Sequence, residues 1–192
     1  ANVTMNQKRD FELHRLANKT TFAAGTGRLE LNTFWSHKDL YHPIFQVIDQ
    51  NSNDLGVDAR WRCDADWLGR RNEFVLGLSP TWGWIESANF TNVGGNRGAK
   101  TAQSLQRAQN ADAYVENRHW LTDRLSLVLG AQFSCANRDR DDRFGTADFN
   151  EDYWSVNPKA GFVFDYTEQV QFYGNVSRSF EPPSFSELGA VS

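Results

Sequence analysis

The chain contains no run of about 18 consecutive apolar residues, so the sequence offers no transmembrane helix. Cysteine is scarce: Cys63 and Cys135 supply neither a zinc-ligand spacing nor a disulfide framework. The four histidines, His14, His37, His42 and His119, are scattered and suggest no metal centre. No Ser/His/Asp order and no carboxylate pair at a recognisable spacing stands out, so enzymatic chemistry is not expected. Charge of one sign is lacking as well. Twenty Lys and Arg face 24 Asp and Glu, a net charge of −4, without the dense basic cluster that nucleic acid requires. The opening "ANVTMNQKRDF" lacks the charged-then-apolar plan of a signal peptide, and an exported protein would carry its leader upstream of this sequence. Helical periodicity is nearly absent too.

Aromatic residues are plentiful. Seven Trp and fourteen Phe against one Met favour strands, and 40% hydrophobic residues are too many for a disordered segment. Period-two alternation recurs along the chain. Leu29, Leu31, Thr33 and Trp35 oppose Arg28, Glu30 and Asn32. Leu55, Val57, Ala59, Trp61 and Cys63 oppose Gly56, Asp58, Arg60, Arg62 and Asp64. Leu125, Leu127, Leu129, Ala131, Phe133 and Cys135 share one parity, and near the end Phe172, Gly174 and Val176 oppose Gln171, Tyr173, Asn175 and Ser177. The mean hydropathy of −0.62 does not argue against a membrane. A barrel wall meets lipid with every second residue and keeps a polar lumen.

The pattern predicts eight strands, at 9–22, 28–40, 54–64, 73–86, 111–121, 124–136, 153–165 and 169–180. The first and fifth have the weakest alternation. The connections alternate between short ("AAGTG", "ADWLGRRN", "TD", "TEQ") and long ("YHPIFQVIDQNSN", "SANFTNVGGNRGAKTAQSLQRAQN", "NRDRDDRFGTADFNED"), as in an up-and-down outer-membrane barrel. Strands of about 12–13 residues, tilted near 45°, rise about 28–30 Å and cover the apolar band. Trp35, Trp61, Trp82, Trp84, Trp120, Tyr153 and Trp154 are expected to form its aromatic girdles. Pro80 is expected at a bulge and Pro158 near the outer rim, because a proline deletes a ladder hydrogen bond. Cys63 and Cys135 fall three strands apart, about 14 Å, beyond bridging distance, which predicts free thiols.

Three stretches carry a resemblance: "YVENRHWLTDRLSLVLGAQF", "NVGGNRG" and, most specifically, "VNPKAGFVFDYTEQVQFYGNVSRSFEPPSFSEL". They resemble the barrel of TonB-dependent outer-membrane receptors. The resemblance implies an all-β, antiparallel, up-and-down transmembrane barrel wall, of which eight strands out of about 22 are a fragment. Residues 1–192 are then a partial barrel domain without the plug or the C-terminal strands. It also implies a bacterial outer-membrane location, contact with lipid, a ferric siderophore as cargo and a TonB complex acting through the missing plug. No cofactor is implied, and such a fragment would not transport alone.

Candidate ligand contacts are the cations of the expected outer loops. Arg138, Arg140 and Arg143 interleave with aspartates in "NRDRDDRFG", and Arg97 and Lys100 lie in "GGNRGAK". Guanidinium groups match the oxygens of an anionic chelate or a lipid phosphate. The plainer reading is a solvated charged loop. Gly94–Gly95 reads as loop flexibility, and Glu73, Lys159, Asn175 and Ser177 as the wet face of the wall. A small complete barrel or adhesin, a soluble β-sandwich binding module and, more weakly, an outer-membrane hydrolase remain as alternatives.

Overall fold

The computed structural model describes residues 3–67 and 69–189. The connection expected around 65–72 includes Leu68, which lies outside the described residues, as do residues 1–2 and 190–192. Runs with one apolar and one polar face, joined by tight turns, pair as antiparallel hairpins. Eight do so here: β1 (Asp10–Ala24), β2 (Gly27–Pro43), β3 (Gln46–Trp67), β4 (Arg70–Val93), β5 (Asn96–Trp120), β6 (Leu125–Asp142), β7 (Phe149–Asp165) and β8 (Gln171–Ser177). They form one sheet in chain order, each neighbour antiparallel, with β1 and β8 at its open edges. A single 3-10 turn (Val3–Met5) precedes the sheet and a one-turn helix, α1 (Phe185–Leu188), follows it.

The strand count and order agree with the sequence reading, whereas the strand lengths do not. β5 runs for 25 residues, about twice the expected length, and β8 for only 7. Two connections read as long loops are ladder almost to their tips. Pro43 pairs with Val47, and Val93 pairs with Asn96. Gly94 and Gly95 both have positive φ, +60° and +90°, as the mirror-image two-residue hairpin turn requires. The pair is therefore a fixed turn and not a flexible loop. In the third long connection the irregular part spans only residues 143–148. The alternation of loop length is really an alternation of hairpin reach. The hairpins are longest at the end away from the "TD" and "TEQ" turns, which marks that end as the outer one.

A small clip joins two of the long hairpins. Asn92 Nδ2 donates to the carbonyls of Met5 (2.9 Å) and Ile44 (2.6 Å), and its Oδ1 accepts from Gly95 N (2.7 Å). Pro43 and Val47 are buried beside it.

The register sorts the side chains into two faces. Leu29, Trp61, Leu76, Val115, Ala131 and Pro158 follow one another across the strands, as do Leu31, Ala59, Leu78, Ala113, Phe133 and Val156. This face bears exposed apolar side chains such as Leu78, Leu129 and Phe133, which a lipid environment accommodates and water does not. Trp35, Trp61, Trp82, Trp84 and Trp154 share its parity, whereas Trp120 and Tyr153 are on the opposite face and leave the expected girdle. The guanidiniums of Arg71 and Arg118 each lie 4.4 Å from the Trp120 ring centroid, a cation–π contact suited to a wet surface.

Neither proline occupies the expected setting. The β3–β4 ladder skips the residues opposite Ser79 and Pro80 and resumes in unchanged register, so there is no bulge. Ser79 Oγ donates to Asp58 Oδ2 (2.6 Å) and ties the strands across that gap. Pro158 is mid-strand in β7, paired with Ala131, where the β7–β8 ladder ends. Cys63 and Cys135 lie on β3 and β6 as free thiols.

Candidate functional site: the polar inner face

The face opposite the apolar band carries the polar residues. In a single sheet, side chains crowd only on the concave side. Away from the two rims, the most buried described residues are of this parity, among them Ser104, Ser134, Ala136, Ser155 and Asn157. Buried polar groups need partners, and these come from the same strand and from its neighbours in the ladder. Asp112 Oδ1 accepts from Gln132 Nε2 (2.8 Å) and Ser134 Oγ (2.6 Å), and Ser155 Oγ donates to Asn157 Oδ1 (2.9 Å). Asp58 accepts from Ser79 and from Asn32 Nδ2 (3.0 Å). Lys159 reaches across Gly130 on β6 to pair with Glu116 on β5.

A second bridge depends on a missing side chain. The Tyr114 ring lies over Gly77, and its hydroxyl accepts from Arg60 Nε (2.9 Å) on β3, one strand further on. A Cβ at Gly77 would overlap the ring.

Beyond β8 the chain turns inward. Arg178 N still donates to Pro158 O (3.0 Å), and residues 179–184 then leave the ladder. Arg138 on β6 donates from Nε to Pro183 O (3.2 Å) and from Nη2 to Asn110 Oδ1 (2.9 Å). The Phe185 ring packs against Phe149 of β7 at 6.0 Å. "SFSE" forms a capping box on α1, with Glu187 N donating to Ser184 Oγ (3.4 Å) and Ser184 N to Glu187 Oε2 (2.7 Å). Residues 178–189 thus form a strap across the outer half of the inner face.

The backbone N–H and hydroxyl of Ser184 hold the Glu187 carboxyl below its ordinary range. A lowered carboxylate pKa stabilises the box above the unfolded value and loses that contribution as pH falls through the folded value. Amide exchange at Leu188 and Gly189 is therefore expected to accelerate as pH drops below about 4, after correction for intrinsic rates. Glu187→Gln is expected to flatten that response. An identical pH profile in the variant would remove Glu187 from the account.

The five candidate cations do not form one site, and four of them lie on strands. Arg97 on β5 pairs with Asp49 (2.6 Å), with its guanidinium 4.9 Å from the Tyr41 ring centroid. Lys100, also on β5, donates to Gln103 Oε1 (2.7 Å). Arg143 opens the 143–148 loop and pairs with Glu86 (3.3 Å) and Asp141 (3.2 Å). Arg138 and Arg140 share the inner-face parity of β6, beneath the strap. Sequence reasoning missed the strap, although the spacing Ser184-x-x-Glu187 signals a helix start. Among the described residues, no group of three or more His, Cys, Asp or Glu is placed to hold a metal.

A long-stranded antiparallel meander with an apolar face and a hydrogen-bonded polar one is the wall of an outer-membrane β-barrel. The family model described as "TonB dependent receptor-like, beta-barrel" matches residues 2–192, and the chain belongs to that family. Members of the family are outer-membrane proteins, and this wall is one of them. No curated protein sequence matches.

Among solved structures, the ferric citrate transporter FecA in its unliganded form is similar over 94% of this chain, with TM-score 0.79 and 10% identity. The alcaligin outer-membrane receptor FauA from Bordetella pertussis is similar over 84%, with TM-score 0.71 and 15% identity. The closed form of the ferric-catecholate import receptor Fiu from E. coli K12 is similar over 91%, with TM-score 0.72 and 11% identity. At such identities the likeness is one of fold. The chain spans 29%, 27% and 33% of those three proteins respectively.

Proposed function

We propose that this chain is part of the barrel of a receptor that imports ferric siderophores or similar metal chelates. Its energy would come from a TonB complex acting through a plug domain. The reading is of a transporter wall, not an enzyme. The observation that carries it is the division of one sheet into an apolar outer band and an inner face of cross-linked polar groups. A cargo path needs such a face, and the similar solved structures named above are a ferric citrate transporter, an alcaligin receptor and a ferric-catecholate import receptor.

The test uses the full-length protein in a Gram-negative host stripped of its own siderophore receptors. Under iron limitation, uptake of labelled iron is measured with a panel of ferric siderophores, with and without TonB. TonB-dependent uptake of at least one chelate supports the reading. A correctly assembled protein that supports uptake of none of them contradicts it.

A further inference from the structure

Most arginines of the outer end have a carboxylate partner, as Arg97 has Asp49, Arg107 has Asp139, and Arg143 has Glu86 and Asp141. Arg138 is different. It is 8% exposed, and although Glu151 is its ladder partner, its hydrogen bonds run to neutral oxygens. These are Pro183 O (3.2 Å), Gln109 O (3.4 Å), Asn137 O (2.9 Å) and Asn110 Oδ1 (2.9 Å). Two residues further along the same face, Arg140 has a buried Nε with no hydrogen-bond partner, and its nearest carboxylate, Asp142, is 3.9 Å away. The strap covers both. Pro183 meets Arg138, and Gly189 is close enough to Arg140 that a Cβ added there would come within 3.4 Å of its Nη1.

A guanidinium bonded to neutral carbonyls gains by exchanging one of them for a carboxylate. The charge-assisted bond is roughly twice as strong, and the fork geometry allows two parallel bonds. We propose that Arg138 and Arg140 form an anion site closed by the strap. A polycarboxylate entering from the lumen takes the place of the Pro183 carbonyl and lifts residues 178–189 from the wall. Among the described residues no strand ladder holds 179–184 to the wall, and α1 is a single turn, so the strap lifts without breaking the sheet. The strap and the anion then compete for one guanidinium, so a weaker strap means tighter anion binding. The proposal rests on reading the inner face as the cargo side. Its test measures binding and strap opening, so it can fail while transport is confirmed, or hold where transport is not.

The probe is tricarballylate, a tricarboxylate, added to the full-length protein in detergent at matched ionic strength. Exchange is read at the α1 amides of Glu187, Leu188 and Gly189, which bond to Ser184 and Phe185 oxygens. Saturating anion is expected to raise their exchange about tenfold, the scale of one lost charge-assisted contact. Arg138→Gln is expected to exchange at the fast rate from the start and to ignore the anion. Phe185→Ala removes the Phe149 contact without touching either arginine, and is expected to bind tricarballylate several-fold more tightly. It also carries the test if Arg138→Gln fails to fold. Unchanged exchange in the wild type at saturating anion, or no gain in affinity for Phe185→Ala, overturns the proposal.

Discussion

Leu129→Arg is expected to lower the stability of the bilayer-inserted protein by about 2–4 kcal/mol, the cost of a cation on the lipid face near the midplane. Leu129 is 58% exposed, midway along the apolar run of β6, and its ladder partner on β7 is Ala160. Its ladder partner on β5 is the neutral amide Asn117, so no carboxylate stands directly opposite to pair with a guanidinium there. The control is Gln132→Arg, three residues along the strand on the opposite face, where Asp112 is already a hydrogen-bond partner. Its effect is expected to stay within about 1 kcal/mol, as for surface substitutions. Urea titrations of the full-length protein in lipid vesicles, followed by tryptophan fluorescence, give both values. Equal losses in the two variants would mean that the faces are not differently solvated.

Gly77→Val is expected to cost about 3 kcal/mol, more than a surface substitution in a strand normally does. Valine suits a strand intrinsically, so propensity alone predicts a gain. Geometry reverses the sign. The new side chain occupies the space of the Tyr114 ring, which must swing away and release its hydroxyl from Arg60. Overpacking and a lost hydrogen bond to a charged donor therefore act together. The same titration tests it, with Tyr114→Ala as background. Once the ring is gone, Gly77→Val is expected to be nearly neutral, and a full loss persisting in that background would refute the ring-over-glycine account.

The parts of the fold legible in the sequence were those with lipid on one side. Leu125, Leu127, Leu129, Ala131 and Phe133 alternate with small or polar residues because one environment is apolar and the other wet, and period two reports that contrast. Above the tryptophan rows both sides are wet. There Asn51 and Gln103 continue the outer parity with no apolar signal, and the strands at those positions read as loops in the sequence. The Gly94–Gly95 pair was visible, and its reading as flexibility missed that two adjacent glycines also satisfy a mirror-image turn. Trp120 and Tyr153 were assigned by residue type, while their face is set by register, which a sequence shows only where alternation is clean.

The candidate site was less legible than the fold. Five cations were named, and only Arg138 and Arg140 came together, because their spacing of two puts them on one face of β6. The partner that closes over them, residues 178–189, returns from more than forty positions away. No local pattern encodes that contact. What the sequence did contain was the capping box, a helix start within "SFSEL".

The claim on which everything else depends is that β6 has lipid on one side and the lumen on the other. Spin labels placed singly at positions 125–136 of a cysteine-free, full-length protein in lipid vesicles test it directly. Collision with dissolved oxygen and with a water-soluble nickel chelate is measured at each position. Oxygen access is predicted to peak at Leu127, Leu129, Ala131 and Phe133 and to fall at Val128, Gly130, Gln132 and Ser134, with nickel access in the opposite phase. Profiles without that two-residue period, or oxygen access low on both faces as in a sheet packed against a second protein layer, would contradict the barrel wall.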